Sequence, residues 1–134
     1  MIKAQVAPGL RALGFKGSGR NYEFPSPYHW AVLGFQSSKW SDSDEVSFTV
    51  NLLVVSRDAW ERERAQRPYL PATPNANMFP GEPVWWTRVG ALMPGGEDTW
   101  WRVRARANTE AVAREVLRAI ETYAVPAMRA QLAS

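Results

Sequence analysis

One short stretch carries the most conspicuous chemistry in this chain. In Thr99–Ala107 (TWWRVRARA), Trp100, Arg102, Arg104 and Arg106 alternate with apolar residues. If the stretch is a strand, all four side chains share one face, because successive side chains point to opposite sides. Arg88, on the segment before, would join them from a neighbouring strand. A ring beside a row of guanidinium groups suits an anionic ligand or an acidic protein surface. Single-stranded nucleic acid is a further option, with Trp100 as a stacking platform. The plainer reading is a solvated sheet face whose arginine stems cover apolar surface.

A second constellation is uncharged. Gln36, Ser37 and Ser38 end one apolar run, and Thr49 and Asn51 interrupt the next. If the two runs pair, these side chains meet across the strands. They would either orient a small ligand by hydrogen bonds or satisfy one another and the backbone. His29, the only histidine, would complete a pocket as acid or base if it stood within hydrogen-bond reach. The plainer reading makes it a partly exposed structural residue at a strand entrance. No base lies near either serine in sequence to activate it.

Other suggestive groups dissolve on inspection. Asp42, Asp44 and Glu45 lack the loop length, glycine and final glutamate of a calcium hand, so a solvated turn explains them. Gly14–Gly19 (GFKGSG) follows a helix pattern, where a phosphate loop follows a strand, and it lacks the trailing Lys-Ser/Thr pair. No cofactor and no metal site is expected, and no catalytic residue is assigned.

Composition narrows the class. The chain has 134 residues, 46% hydrophobic, with seven tryptophans and no cysteine. Such a length implies a single domain, residues 1–134, with an ordinary core. Lack of cysteine excludes disulfides, thiolate zinc sites and thiol nucleophiles, and it suits a reducing compartment. The first ten residues have no apolar signal core, and no run of about eighteen apolar residues is available to span a bilayer. A cytoplasmic protein without membrane association is expected. The formal charge of +3 permits anionic partners without demanding them.

The positioning elements follow from periodicity. Ile2, Val6, Leu10 and Leu13 predict a helix over 2–13, capped by Gly14, with Pro8 expected to kink it or delay its start. Residues 16–19 read as a turn and 20–24 as a short strand. Residues 46–56 alternate and are rich in β-branched types, while residues 30–38 are apolar early and polar late on both faces; an antiparallel pair joined by a polar turn is expected. Val46, Phe48, Val50, Leu52 and Val54 form its core face. The face of Ser47, Thr49 and Asn51 is expected to be partly wet or to line a groove. Residues 57–66 predict a short surface helix with Trp60 as its one large apolar residue. The stretch 67–83 holds five prolines and reads as an irregular arm, laid over the sheet by Tyr69, Leu70, Met78 and Phe79. Residues 84–93 and 99–107 are expected to form a second hairpin around Gly95-Gly96, with one tryptophan of each Trp-Trp pair inward and the other outward. Asn108 would cap a long helix that breaks before Pro126, followed by a final turn or short helix through Met128 and Leu132. The whole is an α+β fold: an antiparallel sheet of about five strands with N- and C-terminal helices on one face.

Several motifs converge at this point: Leu13-Gly14-Phe15-Lys16 followed by Gly19-Arg20-Asn21-Tyr22; Phe35-Gln36-Ser37-Ser38; Phe48-Thr49-Val50-Asn51-Leu52; Arg88-Val89-Gly90; Trp100-Trp101; and Ala124-Val125-Pro126. In this order and spacing the chain resembles the bacterial family catalogued as domain of unknown function 4304. The resemblance covers nearly the whole chain. It implies a shared α+β domain and brings no activity or site residues with it.

Function is therefore read from the residues alone. The leading expectation is a non-enzymatic interaction module whose outward tryptophans and Trp100, Arg102, Arg104, Arg106 and Arg88 meet an acidic protein surface or another anion. One form is an accessory or immunity-type protein that masks a partner. The alternative is a small-ligand binder or enzyme with His29, Gln36, Thr49 and Asn51 in a pocket under the proline-rich arm. Nucleic-acid binding comes third.

Overall fold

The structure, a computed structural model, describes residues 2–37, 45–78, 84–104 and 109–133. Helix α1 (Ile2–Ala12) leads into β1 (Lys16–Ser18), β2 (Asn21–Glu23), β3 (His29–Ser37) and β4 (Glu45–Ser56). Helix α2 (Arg57–Gln66) and the arm follow, then β5 (Trp85–Arg88), a short helix α3 (Val89–Leu92) and β6 (Trp101–Arg104). The chain closes with α4 (Thr109–Ala119), a π-helical turn (Ile120–Ala124) and α5 (Val125–Leu132).

The sheet is antiparallel, in the order β1-β2-β3-β4-β5, with β6 also on β4. Strands β3 and β4 pair from His29↔Ser56 to Ser37↔Phe48, so the expected central pair is present. Alternation then divides the side chains. Phe48 and Val50 are buried on the helix side, with Val6 and Leu10 of α1 and Val116 and Ile120 of the C-terminal helices in the same core. Tyr22, Phe35, Phe48 and Trp101 run ring to ring across this face at centroid distances of 6.0 Å each. Such contacts favour one packing over its alternatives. The α+β class, the antiparallel sheet and the terminal helices on one face are as the patterns predict.

The opposite face has its own, smaller core. Val32, Leu53 and Val55 are covered by Trp60 of α2 and by Leu70 and Ala76 of the arm. Ser56 caps α2, its Oγ accepting from the Ala59 N–H at 3.0 Å. Trp60 is 1% exposed, and its indole N–H donates to the carbonyls of Pro71 and Ala72 at 3.0 and 3.2 Å. Trp86 repeats the device with the Ala76 carbonyl at 2.7 Å. The arm is thus held by indole donors as well as by burial. Two of its expected anchors do not serve: Tyr69 and Met78 are exposed. Phe79 lies outside the described residues. At the start of the arm Glu63 accepts from Arg67 at 2.6 Å. That bond, with Tyr69 adding to it, raises the guanidinium above its ordinary pKa.

Four local expectations change. Residues 16–18 are not merely a turn but strand β1, paired with β2; Gly17 and Gly19 supply the positive φ values this tight hairpin uses. Helix α1 starts at Ile2, not near Pro8, and includes that residue, because one missing hydrogen bond weighs less than burying Val6 and Leu10. Residues 84–93 and 99–107 do not pair with each other. After Arg88 the chain coils into α3, with Val89 fully buried, and β5 and β6 each pair with β4 instead. The break before Pro126 is also absent. A π-helical turn lets Val125 N–H reach back to the Ile120 carbonyl, and this wider turn admits Pro126, which has no N–H for the ordinary helical bond, without ending the helix. The expected cap Asn108 lies outside the described residues.

Candidate functional site

The sheet registers decide which polar residues meet. Gly34 pairs with Asn51 and Asn51 with Arg88, while Gln36 pairs with Thr49. All point to the face away from α1 and α4. Asn51 is fully buried and its amide is fully used. Its Nδ2 donates to Gln36 Oε1 at 2.8 Å and to Asn77 Oδ1 at 2.9 Å. Its Oδ1 accepts from Arg88 Nε at 3.2 Å. Asn77, on the arm, donates in turn to the Phe35 carbonyl at 3.1 Å. Thr49, also fully buried, donates to the Thr99 carbonyl at 2.8 Å. The expected wet face is therefore sealed at Thr49 and Asn51, since the arm and the segment before β6 close over them.

Gly34 makes room for this closure. A Cβ there would lie 2.5 Å from Asn77 Oδ1. Gly34→Ala should push Asn77 off both of its partners and destabilise the fold by about 1–3 kcal/mol. Urea unfolding measures the loss. Faster proteolysis of the arm, with the helix core unchanged, would locate it.

The charged strip stands beside this seam. Arg102 and Arg104 are exposed, while Trp101 and Val103 between them are buried. Both arginines therefore lie on the outer face with Trp100. Arg88 joins them: its guanidinium lies 5.3 Å from the Trp100 ring centre and 5.9 Å from that of Trp86. Its NH1 donates to Asp98 Oδ2 at 3.0 Å, its NH2 to Gln36 Oε1 at 3.4 Å. The same Asp98 oxygen accepts from the Trp100 indole at 3.0 Å. Arg106 lies outside the described residues.

The Trp-Trp pairs split as expected. Trp85 and Trp101 pack on the helix-side core, while Trp86 packs against the opposite cluster. The outward rings do not form a bare aromatic patch, however. Both are half-buried and both indoles donate, to Ala76 and to Asp98.

His29 is not brought to this place. It opens β3 opposite Ser56, seven residues from Gln36, roughly 23 Å along an extended strand. An odd separation also puts it on the other face. The pocket that would unite His29, Gln36, Thr49 and Asn51 is thus reduced to the last three, and those three bond one another and their covers. Among the described residues, no three His, Asp or Glu side chains are grouped to hold a metal ion. Asp42 and Asp44 are outside the described residues. No helix among the described residues is long and apolar enough to cross a membrane.

Two members of the site are not anticipated by sequence patterning, Asn77 and Asp98. Asn75-Ala76-Asn77 reads as turn chemistry, and Asn75 Oδ1 does accept from the Asn77 N–H at 2.8 Å. That local role hides the long-range one. Asp98 sits beside Gly95-Gly96 and reads as loop. Gly90 is the nearest signal: a Cβ there would lie 2.4 Å from the Glu97 carbonyl and 2.6 Å from the Thr99 nitrogen, so a glycine after Arg88-Val89 lets the Asp98 loop pack close.

No curated protein and no solved structure matches the chain. A family model, Domain of unknown function (DUF4304), matches residues 6–130. The motifs that carry the resemblance include Gln36, Asn51, Arg88 and Trp100, residues distant in sequence that meet at one seam. With nearly its whole length matched, the chain belongs to the DUF4304 family.

Proposed function

We propose that this chain is a single-domain, cytoplasmic, non-enzymatic binding module of bacterial type, and that the outer sheet face around Trp100, Arg102 and Arg104 meets an acidic protein surface. The reading rests chiefly on one observation: two exposed arginines alternate with buried neighbours on β6, beside a third that is fixed in place. Held cations lose less side-chain freedom on binding than mobile ones. A small-ligand pocket under the arm draws less support, because Asn51 already uses both amide hydrogens and its oxygen within the protein.

The test uses a hexaglutamate peptide followed by titration calorimetry. Arg102→Glu/Arg104→Glu should weaken binding at least about tenfold, since like charges then oppose the ligand. Urea unfolding of the same variant separates a lost contact from a lost fold, because Arg104 stands opposite Glu45 on β4. Equal affinity in the two proteins would reduce the strip to a solvated face.

A further inference from the structure

Arg88 and Trp100 hold Asp98 as a receptor holds a ligand. One carboxylate oxygen takes a guanidinium N–H and an indole N–H, each at 3.0 Å. The contact opens to solvent, with the Asp98 side chain 50% exposed against 29% for Arg88. The two sides are unequally anchored. Behind Arg88, Asn51 and Gln36 fix Nε and NH2, and Asn51 is fully buried. The guanidinium is therefore positioned whether or not Asp98 is present. Asp98 stands in an exposed loop after Gly95 and Gly96, and rotation about its own side-chain bonds is enough to release it. Of a guanidinium's five N–H groups, Asn51, Gln36 and Asp98 engage three. Among the described residues, that leaves two for the second oxygen of an incoming group.

We infer that Arg88 and Trp100 form a carboxylate-binding site, and that Asp98 is its internal occupant, displaced when an acidic side chain of a partner arrives. The inference rests on the outer face being the binding surface and adds to it a ligand class and a restraint. Carboxylate is favoured because a planar monoanion takes the place of a planar monoanion. One guanidinium and one neutral donor match a single negative charge, and a phosphate dianion would bring a second. Arg102 and Arg104 then meet further acidic groups of the same partner. While Asp98 occupies the site, only the fraction of molecules with Asp98 released is competent, and apparent affinity falls by that fraction.

The experiment compares the intact protein with Asp98→Ala and Asp98→Asn. Hexaglutamate, acetate and inorganic phosphate are the probes, and the Trp100 indole N–H resonance is the readout, assigned by its loss in Trp100→Phe. Asp98→Ala should bind hexaglutamate about tenfold more tightly, as expected if the released form is roughly a tenth of the population. Asp98→Asn should shift in the same direction. The Trp100 resonance should move on titration, and that of Trp86, bonded to the arm, should stay. Arg88→Lys in the Asp98→Ala background should abolish the gain. Acetate moving the same signal only at far higher concentration identifies a protein side chain as the source; acetate matching the peptide identifies a small free carboxylate. Phosphate outcompeting acetate overturns the ligand class. If Asp98→Ala binds the peptide no better than the intact protein, while Arg102→Glu/Arg104→Glu still weakens it, the internal occupant is disproved and the face stands. If neither protein binds, both readings fall together.

Discussion

Asn51→Leu should lower the unfolding free energy by roughly 2–4 kcal/mol, because each buried polar group left without a partner costs about 1–3 kcal/mol. Leucine keeps asparagine's branched outline but is larger, so the loss combines missing bonds with some overpacking of a fully buried site. The change strips Arg88 Nε of its acceptor and takes the donor from Asn77 Oδ1, both inside the sealed seam. Gln36 Oε1 retains only its longer bond from Arg88, at 3.4 Å. Thr49→Val provides the contrast. It removes one bond, to the Thr99 carbonyl, and should cost about 1 kcal/mol. Denaturant midpoints for the two variants, with unchanged slopes, check the difference. Equal and small losses would mean that water replaces Asn51 without penalty and that the seam is looser than its distances indicate.

Trp60→Ala should be more damaging still, about 3–5 kcal/mol, the range for truncating a buried aromatic ring. The ring fills the space between α2 and the arm, and two arm carbonyls accept from its indole N–H. Trp60→Phe keeps most of the buried area and loses those bonds, so it should cost about 1–2 kcal/mol. The two variants differ in a second observable. In Trp60→Ala the arm loses both packing and bonds, and limited proteolysis between Arg67 and Asn77 should accelerate well before global unfolding. If cleavage and unfolding quicken in step, the arm is part of the same cooperative unit as the helix core.

Strand alternation made much of this architecture readable in advance. Phe48 and Val50 had to lie on one side and Thr49 and Asn51 on the other, whatever the rest of the chain did. Arg102 and Arg104 followed by the same rule. Alternation says which side a residue faces but not what covers that side. Thr49 and Asn51 therefore read as wet, although Asn77 and Thr99, from segments 26 and 50 residues away, close over them. The second hairpin failed for a related reason. Gly95-Gly96 is a good turn signal, but Val89 prefers burial in a helical turn to a place in a longer strand. Pro126 marked a helix end by local rules, and a wider turn absorbed it. His29 joined the polar group only because it lay near in sequence. Counting residues along β3 places it at the far end.

Strand β4 accepts two short neighbours on one edge. Asn51–Val54 takes β5 and Glu45–Phe48 takes β6, and among the described residues no ladder joins those neighbours directly. A disturbance that begins at Arg102 or Arg104 reaches Trp85 by backbone either through β4 or back along the chain through the loop and α3. The short cut is the bridge in which one carboxylate ties Arg88 to Trp100. Cutting that bridge removes the carboxylate tie and leaves the ring contact, α3 and β4 to join the two halves, so the face turned outward can yield to a visitor while the half under the arm, held by Asn51 and Asn77, keeps its shape.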